Sequence, residues 1–158
     1  MKTLKLDEKQ AKKLYKTASK EFKQILNDTF GEAFFSESII DRIQDLDDIF
    51  SDLGLEEKDV LIFQKPKNKF EKYINACAII PKIVEVYNEE WEPNWNSSSE
   101  YKYLPYFKKV GLGWSFFSCY TWGADYSAGP SGHHYKTLEL GKDACTKFNE
   151  IYNDFYNG

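Results

Sequence analysis

The 158-residue chain is poor in several of the residues that announce a chemistry. Arginine occurs once, at Arg42, and histidine only at His133 and His134. With 21 Lys and Arg against 25 Asp and Glu the formal net charge is −4, and neither residues 1–90 nor residues 91–158 are basic. Duplex binding leans on a basic surface, so this balance counts against it. The three cysteines, Cys77, Cys119 and Cys145, are odd in number and widely spaced. They suit buried thiols in a reducing compartment better than a disulfide framework or a zinc site. No apolar run follows Met1-Lys2, and the longest one, Ala76 to Ile80, is far too short to span a bilayer. The expectation is a cytoplasmic protein with no membrane contact, no metal and no cofactor.

What the chain has instead is aromatic rings. Phe, Trp and Tyr make up 17% of it, and 13 of them, with all four Trp, fall between Trp91 and Tyr135. That block is expected to hold most of the core. Its centre, Val110 to Trp122, alternates with period two, the signature of a strand. Val110, Leu112, Trp114, Phe116, Tyr120 and Trp122 share one face, and the other is nearly bare, with Phe117 its one large residue. The bulky face is expected to turn inward against helices, because an open ring cluster of that size exceeds a normal apolar patch.

Around this strand the remaining patterns are local. Tyr101 to Lys108 reads as a second strand, kept to an edge by Pro105, and His133 to Lys136 as a short return strand. Asp7 with Gln10 predicts a capping box, Ser19 a second cap with Phe22, Ile25 and Leu26 inward, and Gly31 a stop. Ser36 is expected to cap a short helix carrying Ile39, Ile40 and Ile43, and another helix runs from Leu46 to Leu53, ending at Gly54. Val60 to Gln64 is a brief apolar run whose pattern is compatible with a short strand. Phe70 to Tyr87 is helical in period with Pro81 inside it, which predicts a kink or two helices. Glu89 to Ser99 is a loop anchored by Trp91 and Trp95. Thr137 caps a last helix whose apolar stripe ends at Phe155. The order predicts a single α+β domain over 1–158, with a helical layer at 1–57. A helix, an antiparallel sheet of about three strands and a C-terminal helix follow over 58–158.

The run WEPNWNSSSEYKYLPYF, then the aromatic strand and YKTLELGKDACTKFNEIYNDFY, resembles a group of uncharacterised proteins of phages and mobile elements in gut-type bacteria. The shared pieces are a W-x-P-x-W segment (Trp91, Pro93, Trp95), a K-Y-x-P-x-F segment (Lys102, Tyr103, Pro105, Phe107) and the helix to Phe155. The early stretch from Leu14 to Arg42 is similar too. GPSGHHY and Pro81 depart from the shared pattern. The resemblance implies an accessory protein inside a bacterial cell and brings no activity with it.

Few residues offer catalysis. Adjacent residues of a strand face opposite ways, so His133 and His134 do not readily share a metal. Either could pair with Asp125 as acid and base, or with Cys119 as a Cys-His couple. Hydrogen-bonded or solvated histidines at a loop end are the plainer reading. Gly111-Leu112-Gly113 has neither the Lys-Ser/Thr nor the helix start of a phosphate loop. Binding is the better expectation. The first hypothesis is a non-enzymatic protein that engages a host protein or small ligand through aromatic loops, with Trp91, Trp95, Tyr103, Asp125, Tyr126, His133 and His134 as contact residues. The alternative is single-stranded nucleic acid or a nucleotide stacked on the aromatic sheet, a partner that the few lysines there disfavour.

Overall fold

A computed structural model of the chain describes residues 6–35, 38–123 and 131–158, with Glu8, Lys9, Lys13, Lys16, Glu32, Ala33, Trp122 and Ser131 described by their backbone only. The architecture is α+β, and the chain divides into two compact units, Met1–Arg42 and Ile43–Gly158.

In the first unit, α1 (Glu8–Thr17) opens with the expected capping box: the Gln10 N–H donates to Asp7 Oδ1 at 2.7 Å, and the Asp7 N–H to Gln10 Oε1 at 3.4 Å. The Ser19 hydroxyl caps α2 (Lys20–Phe30), and Gly31 stops it at φ +88°, where a side chain is disfavoured. Short helices α3 (Glu32–Phe35) and α4 (Ile39–Arg42) follow. Ser36 lies outside the described residues; the backbone carbonyl of Ser38 accepts from the Asp41 and Arg42 N–H groups, both at 3.0 Å. Ala11 and Leu26 are buried, and Tyr15 stacks on Phe35 at 4.1 Å, but Ile25, expected inward, is exposed.

The second unit starts with α5 (Leu46–Leu53), which runs over the expected residues and closes at Gly54 as expected; Asp45 caps its start. After α6 (Glu57–Val60) the segment Val60 to Gln64 is not a strand. Asn75 explains why: its side chain accepts from the Phe63 N–H at 2.9 Å and donates to the Phe63 carbonyl at 2.7 Å. One amide thus satisfies both backbone groups that a neighbouring strand would have taken. Helix α7 (Lys69–Asn88) runs through Pro81 as one element rather than two. Proline removes one helical bond, and the buried row Ile79, Ile80, Ile83 and Val84 holds the helix across the gap.

The sheet is a hairpin, β1 (Lys102–Val110) against β2 (Gly113–Trp122). Its two-residue turn has Gly111 at φ +58°, the sign that a type II′ turn requires at its first position. Tyr106 faces Ser118 but Phe107 faces Phe116, so Phe117 is an extra residue, a bulge, in β2. The bulge breaks the uniform alternation expected of this strand. Trp114 and Phe116 turn toward the helices on one side of it, and beyond it Cys119 takes the inward place while Tyr120 turns out. Val110 and Leu112, expected inside, form the exposed tip. The third strand shrinks to a single bridge: the Tyr103 N–H donates to the Tyr135 carbonyl at 3.0 Å, and the Tyr135 N–H to the Tyr103 carbonyl at 2.8 Å.

The last expected helix is two, α8 (Leu138–Lys147) and α9 (Asn149–Tyr156), meeting at Phe148. They cover the inner face of the hairpin, with α7 against α9 and α8. Phe107 stacks on Tyr152 at 4.9 Å, Trp114 lies 5.2 Å from Tyr156, and the Tyr135 and Tyr152 hydroxyls bond at 2.8 Å in the buried centre. Helix α8 comes this close because residue 141 is glycine: a Cβ there would stand 3.0 Å from Cys119 Sγ and 3.2 Å from the Tyr135 ring. No helix among the described residues is long and apolar enough to cross a membrane.

Candidate binding face

With the inner face of the hairpin committed to the core, its outer face is where side chains are left for other molecules. Strand alternation places Lys102, Leu104, Tyr106 and Lys108 of β1 on that face, opposite Ser115, Ser118 and Tyr120 of β2. One end of it is roofed. Lys102 is fully buried, its Nζ donating to the carbonyls of Ser97 at 3.1 Å and Glu100 at 2.9 Å, with the Trp95 ring 5.6 Å away. A lysine without water needs such partners, so the loop 89–100 is folded down by the charge it neutralises.

The predicted contact residues of that region belong to this roof. Trp95 is half-buried, and its ring meets His134 edge-to-face at 5.1 Å. His134 is buried, and its carbonyl accepts from Asn88 Nδ2 at 2.7 Å, while Asn88 Oδ1 accepts from the Lys136 N–H at 2.9 Å. Asn88 therefore fastens the 134–136 segment to the end of α7. Trp91 is half-buried next to the same helix end, its N–H donating to the Asn88 carbonyl at 2.9 Å. Tyr103 is half-buried and holds the bridge to Tyr135. His133 packs on Phe155 at 5.5 Å. Asp125 and Tyr126 lie outside the described residues.

The two histidines thus sit in different surroundings, one against a phenylalanine and one against a tryptophan. Burial, and secondly the charge of His134, holds the His133 imidazole below its ordinary pKa, which favours the neutral ring. Burial pushes the Cys119 thiol up to about 12, so it carries no thiolate at neutral pH, and a Cys-His couple there lacks its nucleophile. Among the described residues no group of three or more His, Cys, Asp or Glu is placed to hold a metal ion. Asp45 and Asp48 are engaged at the start of α5: Asp45 caps the helix by accepting from the Asp48 N–H, and Asp48 accepts from the Gln44 N–H.

The other end of the outer face is open. Tyr106, Phe117 and Tyr120 are 41%, 56% and 52% exposed and touch one another, with Tyr106 4.8 Å from Tyr120 and 5.8 Å from Phe117 between ring centroids. The Lys108 ammonium lies 4.9 Å from the Phe117 centroid. Beside this cluster, between β2 and α8, runs an open groove of about 610 Å³. Sequence alternation alone missed the cluster because it assigned Tyr120 to the core face. Its one signal was Phe117, a large residue on a face otherwise bare.

Comparisons with protein-family models, curated proteins and solved structures find no match for this chain.

Proposed function

We propose that the protein is a non-enzymatic binding protein whose contact surface is the open end of the hairpin's outer face. The observation that carries this reading is the trio Tyr106, Phe117 and Tyr120, exposed together although burial of such rings is strongly favourable. The bulge makes one of the three, and bulges recur where a side chain is re-aimed for use. The loop rings expected to do this work, Trp91 and Trp95, are half-buried, which moves the weight of the proposal from loops to sheet. The likeness of the WEPNWNSSSEYKYLPYF region to phage and mobile-element proteins supports an accessory role in the cytoplasm of a bacterial host, without a cofactor.

A photo-crosslinking residue, p-benzoylphenylalanine, tests the surface without assuming the partner's chemistry. Placed at Phe117 in cells of a bacterial host, it should give one discrete adduct. Placed at Ile62, another exposed apolar position, it should give none. Absence of an adduct at Phe117, or the same adducts at both sites, would sink the reading.

A further inference from the structure

Resting on that reading, we propose that the open face takes a short single-stranded nucleic acid, its bases stacked on Tyr106, Phe117 and Tyr120 and a phosphate held in the adjoining groove at Lys142. Every base has a π-face, so a small cluster of exposed rings on a sheet serves any sequence. The groove begins at Phe117 and is lined by groups that suit a sugar-phosphate: Ser115 and Ser118 from β2, Lys142 and Thr146 from α8, and Asn149 at the start of α9. Its volume falls among small-ligand clefts. The Lys142 ammonium makes no hydrogen bond or ion pair among the described residues and lines the same groove as Phe117, whose ring the Lys108 ammonium approaches at 4.9 Å.

Charge decides against a neutral partner. Residues 101–123 hold no carboxylate, in a chain whose net charge is −4, and of their three lysines Lys108 stands exposed at the rings. An anion that approaches the rings meets no carboxylate from either strand of the hairpin. Duplex DNA is disfavoured because its bases are already stacked and because two exposed cations neutralise few phosphates. An anionic lipid surface would instead engage the hairpin tip, Val110 and Leu112, and not the ring face.

The test is fluorescence anisotropy of labelled eight-nucleotide single strands (dT, dA and rU) and of an eight-base-pair duplex, titrated with the full chain. Saturable binding of single strands, and weaker binding of the duplex, is expected. Two lysine–phosphate contacts set the slope of log K against log salt at about −1.4, so affinity falls only about sevenfold between 50 and 200 mM salt. Tyr106→Ser and Phe117→Ser should each weaken binding by roughly 5- to 150-fold, the loss of one base–ring stack. Because both rings are exposed, the melting temperature should stay put, which separates lost contact from lost fold. Lys142→Gln should reduce the slope to about −0.7.

Binding that survives both ring substitutions, or a slope unmoved by Lys142→Gln, overturns the proposal. So does the absence of saturable binding to every oligonucleotide. If the Phe117 crosslink then still yields a discrete protein adduct, the binding reading stands and only the nucleic-acid inference falls. Uptake by phosphatidylserine vesicles that is abolished by Leu112→Ser, without oligonucleotide binding, likewise overturns it.

Discussion

Single residues in this protein are perturbed mostly by burial, which raises the thiols and phenols and lowers the His133 imidazole. Cys119 is pushed up to about 12, and Cys145, Tyr87, Tyr135 and Tyr152 are all raised, burial being the first cause at each. Each group keeps its proton in the folded state at a pH where the unfolded chain gives it up. The unfolded chain then binds fewer protons, so stability must fall as pH rises. The window opens near the ordinary thiol value of 9.0 and, for Cys119, runs to about 12. The expected outcome is a urea midpoint flat from about pH 6.5 to 8.5 that declines above it, and a shallower decline in Cys119→Ala. A midpoint that rises between pH 9 and 11 would show that these groups are not buried. Such inner polar groups were invisible in the sequence. The three cysteines read as buried thiols, yet nothing in the spacing of Tyr135 and Tyr152 told that their hydroxyls meet at 2.8 Å, because that contact joins two elements across the fold.

Elements were legible where local chemistry decides them and illegible where a distant side chain does. The caps at Asp7, Ser19, Asn68 and Thr137 and the stop at Gly54 act within one turn, and three of these helix ends with the Gly54 stop were written in the pattern. The Phe117 bulge and the missing strand at Val60–Gln64 depend on partners far along the chain: Tyr106 across the hairpin, and Asn75 on α7. The alternation of β2 therefore predicted a strand correctly and its inner face only in part. The candidate site suffered most, since a one-residue shift at the bulge decides which rings meet water. A third distant amide, Asn153 of α9, carries a prediction. Its Oδ1 accepts from the Trp114 N–H at 2.6 Å, and its Nδ2 donates to the Trp114 carbonyl at 2.8 Å and to the Asn149 carbonyl at 2.9 Å. Trp114 lies on the edge of β2 away from β1, so Asn153 stands in for a neighbouring strand there. Asn153→Ala should cost about 2–3 kcal/mol, for two lost bonds that leave backbone groups unpaired. It should also speed hydrogen exchange at the Trp114 amide far more than at Ser115, which pairs within the hairpin opposite Lys108. Equal acceleration at both amides would mean that the whole hairpin loosens, and that the clamp has no local role.

At the scale of the molecule, the distribution of buried apolar side chains says which part of the chain can stand alone. Nearly all the buried core belongs to Ile43–Gly158: Ile43, Ile49 and Phe50 at its start, six apolar residues of α7 from Ala76 to Val86 with Tyr87, then Phe107, Tyr135, Ala144, Cys145, Phe148 and Tyr152. Among the described residues the unit Met1–Arg42 buries Ala11 and Leu26, besides its own ring cluster around Phe35. A unit of about 40 residues stands at the limit below which a core without staples rarely suffices, and Cys77, Cys119 and Cys145 all lie outside it as free thiols. A chain that begins at Ile43 keeps the Lys147 Nζ bond to the Ile43 carbonyl, the Lys147–Asp143 ion pair and the Tyr87 hydroxyl bond to Asp143. It should therefore melt in one cooperative transition, with near-ultraviolet circular dichroism that retains the tryptophan signal of the whole chain, since all four Trp lie within it. The peptide 1–42 should show helical signal that fades gradually with temperature, without a cooperative step. A non-cooperative melt of 43–158 would place part of its folding free energy in the first 42 residues and refute the division of the core drawn from burial. Binding measured on the 43–158 chain then adds a second reading of the same protein, because every ring and lysine assigned to the open face lies between Tyr106 and Lys142 and should act there unchanged.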